Sequence, residues 1–169
     1  AIRAELRAAA DPERAPKMQA YMKSEMPFLG VPSPQVRTIT AAVRREHPPA
    51  DLDDLRAAVL ALWDDAEYRE ERYAAQNLLR YRLGTGDPAL LPLHEHIAVT
   101  GAWWDHVDET ARHIAALHDA HPEDTAAVVG TRAALHQAGR LQPPDLPRHP
   151  AGQRHQPLGQ IPHPRRPRR

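Results

Sequence analysis

Asp51-Leu52-Asp53-Asp54-Leu55-Arg56-Ala57-Ala58-Val59-Leu60-Ala61-Leu62-Trp63-Asp64 decides the fold class. Leu52, Leu55, Val59, Leu62 and Trp63 recur at i, i+3, i+7, i+10 and i+11, which is one stripe of an α-helix. Asp51 stands just before the first apolar residue, where a carboxylate can accept from the free N–H groups of a first helical turn. Nowhere does the chain alternate apolar and polar residues with the period of two that a half-buried strand needs.

The same helical period extends in both directions. A helix is predicted from about Glu67 to Arg82, with Tyr68, Arg72 and Gln76 on one face, Tyr73, Leu78 and Leu79 on others, and Gly84 and Gly86 as its stop. Asp87-Pro88 is a cap followed by proline at the first helical position, ahead of Leu90, Leu91, Ile97 and Val99. Ser33-Pro34 gives the same start signal before Val36, Ile39 and Val43. A further helix begins near Trp103, lined by Val107, Ile114 and Leu117, and another at Pro122, with Val128, Val129 and Leu135 inside it. Upstream, Ile2–Ala10 and Pro12–Met26 read as two helices, and Phe28-Leu29-Gly30-Val31-Pro32 as a turn. The expected class is all-α. Helices that begin near 33, 67 and 103 recur at roughly 35 residues, the interval of a HEAT-like helical-repeat solenoid built from antiparallel helix pairs. A closed bundle is the simpler arrangement that the same stripes allow.

Composition sets the boundaries of this helical body. The chain has 169 residues, 22 basic and 22 acidic, and no cysteine. The missing thiols exclude a disulfide scaffold, a thiolate metal site and a cysteine nucleophile. No apolar run reaches the about 18 residues of a membrane span, and Ala1–Ala10 lacks the apolar region of a secretory signal, so a cytoplasmic protein is expected. The zero net charge is an average of two unlike parts. Residues 141–169 hold six Arg, one Asp and eight of the 18 prolines, a net +5; residues 1–140 hold 16 basic and 21 acidic residues, a net −5. With only Leu141, Leu146, Ala151, Leu158 and Ile161 as aliphatics, residues 141–169 have too little apolar surface to offset the entropy of ordering, and a disordered Pro/Arg-rich tail is expected there. Residues 1–140 are then the single folded domain.

Chemistry is most concentrated in Gly101-Ala102-Trp103-Trp104-Asp105-His106-Val107-Asp108. Adjacent tryptophans on a helix point about 100° apart, so both are not expected in one core. Trp104, Asp108 and Arg112 follow at i, i+4 and i+8 and share a face. An aromatic plate beside a carboxylate can stabilise a developing cation, such as the oxocarbenium-like sugar of glycosidic cleavage. The plainer alternative is core tryptophans with Asp108 paired to Arg112. The eleven histidines do not form a helical i, i+4 pair beside a carboxylate, so no metal site is expected; His94 and His96 face different sides, and His113, His118 and His121 are spaced by five and three. No phosphate-cradling glycine loop and no Gly-x-Ser-x-Gly elbow occurs.

These residues also carry a resemblance. Gln19-Ala20-Tyr21-Met22-Lys23, Phe28-Leu29-Gly30-Val31 and Pro34-Gln35-Val36-Arg37 resemble the N-terminal signature of the AlkD-like DNA alkylation repair enzymes. Leu62-Trp63-Asp64, Glu67-Tyr68-Arg69-Glu70 and Ala74-Ala75 resemble the next repeat, and Trp103-Trp104-Asp105-His106-Val107-Asp108 resembles their WWDxVD motif, the most specific of the three. The resemblance implies a HEAT-like solenoid that wraps duplex DNA along a basic concave face, acting as a monomer. It implies N-glycosylase activity on N3- or N7-alkylated purines without metal or redox cofactor. Carried over, Asp108 is the catalytic carboxylate, Trp104 the aromatic against the deoxyribose of the damaged nucleotide, and Tyr21 an aromatic from the N-terminal helix. Arg132, in Thr131-Arg132-Ala133-Ala134-Leu135, is the candidate for the family's arginine, at a shorter spacing from Asp108 than the pattern has. Trp103, Lys23, Arg37 and Arg112 complete the expected DNA-binding set, and Arg44, Arg45, Arg69, Arg72 and Arg80 are further candidates for phosphate contacts on that face. After Arg140 the resemblance stops, and the composition shift is that of an out-of-frame product, which leaves the repeat domain incomplete at its C-terminal end. A non-catalytic HEAT-like scaffold that binds DNA or protein is the competing function.

Overall fold

The structure, a computed structural model, describes residues 1–123, 125 and 126. Among them it is all-helical: α1 (Ile2–Ala8), α2 (Ala15–Met22), α3 (Ser33–Glu46), α4 (Leu52–Asp64), α5 (Arg69–Leu78), α6 (Leu91–Gly101) and α7 (Trp104–Ala120), with a 3₁₀ turn over Pro88–Leu90. Helices α3, α5 and α7 begin at 33, 69 and 104, in keeping with the expected repeat interval. They stack in chain order, α3 on α5 and α5 on α7, while α1, α4 and α6 pack against α3, α5 and α7 respectively. Two layers of helix pairs in sequence are the architecture of a helical repeat, and the loop from Asp65 to Tyr68 is too short for α5 to do anything but fold back on α4.

The local rules explain where most elements start. Asp51 caps α4, its Oδ1 accepting from Asp54 N at 2.9 Å. Asp87 caps the turn at Pro88, accepting from Ala89 N at 2.9 Å, so Asp87-Pro88 starts a 3₁₀ turn that leads into α6. The expected helix from Pro12 to Met26 is shorter at both ends. Asp11 Oδ1 accepts from the backbone N–H of Glu13 and Arg14 and makes the approach a capped turn, and Lys23 ends α2 in the left-handed region at φ 49°. Helix α5 stops at Leu78, ahead of the glycines, because Arg80 and Tyr81 turn back to the carbonyls of Asn77 and Leu78. Gly84 serves packing instead: a Cβ there would stand 2.7 Å from Leu90 and 2.8 Å from Leu55.

The α4 stripe is buried as its period demands: Leu55, Val59, Leu62 and Trp63 join Leu6, Val31, Val36, Leu79, Leu90 and Ile97 in one core. Helix α5 departs from any simple pattern. Its sequence Arg-Glu-Glu-Arg-Tyr-Ala-Ala-Gln-Asn-Leu looks like a solvated surface helix, yet Arg69, Glu70, Glu71, Ala74, Ala75, Gln76 and Leu78 are all buried. Ala74 and Ala75 let neighbouring helices approach closely, and each buried charge has partners. Glu71 receives Arg3 Nε at 3.3 Å and Glu67 N at 2.9 Å, with Arg7 Nη2 3.1 Å from its other oxygen. Glu70 Oε1 accepts from the backbone N–H of Gly30 (2.9 Å) and Val31 (3.1 Å), and Oε2 from that of Leu29 (2.9 Å). Burial pushes the Glu70 carboxyl up, and the three N–H groups pull it part of the way back. The Phe28–Val31 turn is thus folded around a carboxylate from a helix forty residues away.

No helix among the described residues is long and apolar enough to cross a membrane. The helix expected from Pro122 through Leu135, the candidate Arg132 and the expected tail at 141–169 lie outside the described residues, apart from the first positions of that helix.

Candidate active site

Helix α7 presents two unlike faces. His106, Thr110, His113 and Leu117, at i, i+4, i+7 and i+11, point inward and are buried. Trp104, Val107, Asp108 and Arg112 are exposed, with Trp104 55% accessible. Val107, expected inside, is turned out because it lies 100° round the helix from His106. The two tryptophans separate as expected: Trp103 is the half-buried residue preceding α7, in extended conformation at φ −137° and ψ 146°, and Trp104 projects from the first turn.

A cleft of about 200 Å³ opens beside Trp104. Ser33 and Arg37 of α3, Tyr73 and Gln76 of α5, Arg80 from the turn after α5, and Asp105 and Glu109 of α7 line it. The inner helices of three successive repeats therefore meet at one polar cleft, and Met22 brings the end of α2 to its rim. Tyr21 and Lys23 flank Met22 and are exposed, Tyr21 at 79%. Of the residues expected to bind DNA, Arg37 lies in the cleft with Trp104, and Tyr21, Lys23 and Arg112 are at the surface around it.

Asp108 is exposed one helical turn from Trp104. The pairing of Asp108 with Arg112 does not occur; Arg112 Nη1 reaches Glu109 Oε2 at 3.0 Å instead. Glu109 is also held by a two-pronged bond from Arg80, at 2.6 and 2.7 Å. Arg80 and the neighbouring positive groups hold the Glu109 carboxyl below its usual range despite partial burial. No ion pair or side-chain hydrogen bond engages Asp108 among the described residues.

Several candidate phosphate contacts are corrected by the packing. Arg69 is buried and donates to Asp105 Oδ1 at 2.6 Å. Arg72 lies 4.9 Å from the centre of the Trp63 ring, and Arg44 4.6 Å from that of Tyr81. Arg69 and Arg72 are occupied within the protein because α5 runs through its centre and its charges face other helices, whereas Arg44, at the end of α3, stacks on a tyrosine that follows α5.

The residues that sequence reading passed over hold α7 in place. Tyr73 OH donates to Asp105 Oδ2 at 2.7 Å, Gln76 Nε2 donates to the His106 carbonyl at 2.9 Å, and His106 Nδ1 meets Gln76 Oε1 at 2.8 Å. Arg69, Tyr73 and Gln76 stand at i, i+4 and i+7 of α5, and Arg80 follows at i+11 in the turn after it, a polar stripe that would have marked them as facing a polar partner helix. The His106 ring sits 4.8 Å from Trp63 and 5.5 Å from Tyr73, and His94 stacks on His113 at 5.2 Å with the rings 13° apart.

Burial in these ring stacks disfavours the charged imidazoles. Desolvation, and then the Arg69 charge, lower His106 to about 3; desolvation and the neighbouring His113 lower His94 to about 4. An unfolded histidine titrates near 6.5. Between that value and the folded ones the unfolded chain binds more protons, so stability is full above about pH 6.5 and falls as the pH drops toward 4. The loss approaches about 1.4 kcal/mol per pH unit for each histidine. Asp105 adds to it near the acid end through its lowered carboxyl, and Glu70, held above its usual range, opposes it in the lower part of the window. Urea midpoints measured from pH 7 to 4.5 are expected to fall steadily, and His94→Gln to flatten the slope. A midpoint constant over that range would show that the rings charge freely in the folded state.

The model of the family described as DNA alkylation repair enzyme matches residues 2–129, well over half of the chain. No curated protein matches it. The match runs from α1 through α7 and takes in Tyr21, Arg37, Trp104 and Asp108, and with the all-helical repeat fold it places the chain in the DNA alkylation repair enzyme family.

Proposed function

We propose that this protein is a DNA N-glycosylase that excises N3- or N7-alkylated purines from duplex DNA, with Trp104 and Asp108 at the reacting sugar. The observation that carries the reading is the pair itself: an exposed indole and an exposed carboxylate that no described residue engages, one turn apart on α7, beside a polar cleft. An alkylated purine already bears positive charge, so it leaves with the electron pair of the C1′–N bond and needs little protonation. The cation that remains on the sugar is then the main barrier. Asp108 stabilises it by charge and accepts a hydrogen bond from the water that attacks C1′, whose proton passes to solvent. Trp104 packs on the deoxyribose and offers its ring face to the cation. Tyr21, Lys23, Arg37 and Arg112 would hold the flanking backbone together with Arg132. The side chains supply this chemistry without a cofactor, and a monomer presents the whole cleft.

The test is base release from a duplex carrying N7-methylguanine. Wild type is expected to liberate the base, and Asp108→Asn to slow single-turnover release about 100-fold, equivalent to about 2.7 kcal/mol of transition-state stabilisation. Equal release by both proteins would remove Asp108 from this role. Salt-sensitive duplex binding with no release by wild type would leave a non-catalytic DNA-binding scaffold.

A further inference from the structure

Where Trp104 and Asp108 point depends on the rotation of α7 about its own axis. Apolar packing usually fixes such a rotation. Here the inward stripe over the first three turns is His106, Thr110 and His113, and leucine appears only at Leu117. The His106 and His113 rings pack against Trp63, Tyr73 and His94, and directional polar bonds share with them in setting the angle. Asp105 makes the two at the first turn, beside Trp104: its carboxylate accepts from Arg69 Nη2 at 2.6 Å and Tyr73 OH at 2.7 Å, while Gln76 bonds His106 and Thr110 and Arg80 bonds Glu109 further along the helix. The partners are anchored in turn. Arg69 donates its backbone N–H to Pro27 O at 2.9 Å, and the Tyr73 ring stands 6.3 Å edge-on from Phe28. Next to Arg69, Glu70 holds the backbone of residues 29–31. A continuous frame thus runs from the Phe28–Val31 turn through α5 to the first turn of α7.

We propose that Asp105, with Arg69 and Tyr73, is a positioning site that fixes the rotation of α7 and so the placement of Trp104 and Asp108 against the sugar. The activity this serves rests on the glycosylase reading above; the placement itself does not. Asp105 does not reach the reacting atoms in this role. It is flanked by the residue that does, so a turn of α7 by a small angle displaces both Trp104 and Asp108. A displacement of the order of 1 Å at a reacting centre costs on the order of 100-fold in rate.

The experiment uses the 169-residue chain labelled with 5-fluorotryptophan, whose ¹⁹F spectrum gives one resonance each for Trp63, Trp103 and Trp104. Trp104→Phe assigns the exposed one. Asp105→Asn keeps the size of the side chain and loses the charge; Tyr73→Phe removes only one donor and keeps the ring, which guards against loss of folding. Both are expected to shift or broaden the Trp104 resonance while Trp63 stays in place. On the N7-methylguanine duplex, single-turnover release is expected to fall about 100-fold for Asp105→Asn and about tenfold for Tyr73→Phe, with the Kd for DNA changed less than threefold. A folded Tyr73→Phe and Asp105→Asn that leave the Trp104 resonance unmoved would overturn the proposal. So would a loss confined to Kd with the rate intact. If wild type releases no base, the glycosylase reading fails, while the ¹⁹F shifts still decide whether Asp105 positions α7.

Discussion

Replacing Glu70 by alanine is expected to remove about 3–5 kcal/mol of stability, a large share of the total for a domain of this size. The side chain is fully buried, and its two oxygens satisfy the backbone N–H groups of Leu29, Gly30 and Val31. Alanine would strand three donors where water has little access, and each buried unpaired group costs about 1–3 kcal/mol. The sum overshoots the expected value because part of the turn would open to solvent. Glu70→Gln retains one acceptor oxygen but turns an NH₂ toward a backbone donor, so it is expected to cost about half as much. Urea denaturation measures both. A loss below about 1 kcal/mol for alanine would mean that the turn is not held by this carboxylate. The consequence reaches α7, because Phe28 touches Tyr73 and Tyr73 holds Asp105.

Gly30→Ala is expected to be similarly damaging for a steric reason. Gly30 sits at φ +87°, where side chains are strained, and a Cβ would lie 2.2 Å from Asp11 O and 2.9 Å from Ala15 N. Both are backbone atoms and cannot rotate aside. Left-handed strain contributes about 1–3 kcal/mol and the forced shift a similar amount. Moving Asp11 would also disturb its backbone bond to Leu29 O at 2.8 Å and its capping of the turn before α2. Since Gly30 N is one of the donors to Glu70, the double variant is expected to lose less than the sum of the two. Full additivity would mean that the two positions act in separate structural units.

How far the sequence carries can be judged residue by residue. The apolar stripe of α4, the Asp51 and Asp87 caps and the start of α3 at Ser33 follow from helical period and capping chemistry, which act over one or two turns. The interval between α3, α5 and α7 follows too, because it is a count along the chain. In the site, the shared face of Trp104 and Asp108 was legible from the 100° step between residues, and so was the expectation that two adjacent tryptophans do not share a core; that Trp103 precedes the helix in extended conformation and that the Trp104 face is the exposed one came from the structure. Arg69 and Arg72 were not legible. Their composition resembles solvated surface, and only the position of α5 among α1, α3, α4 and α7 turns those charges inward. His106 was equally silent, since a histidine beside a carboxylate suggests chemistry more readily than a ring packed against Trp63.

By itself the sequence determined that the chain is a string of helices in repeating pairs, that its charge is divided between an acidic body and a basic end, and that Trp104 and Asp108 share a face. These are consequences of short-range geometry, set by periods and neighbours. Only the tertiary structure decided which carboxylate is spent on the fold and which stands exposed at the surface. Asp105 and Asp108 are three residues apart on one helix, yet one is bound by Arg69 and Tyr73 and the other has no ion pair or side-chain hydrogen bond among the described residues. That choice depends on partners 32 to 36 residues away in the chain, and no local pattern encodes the angle at which two helices meet.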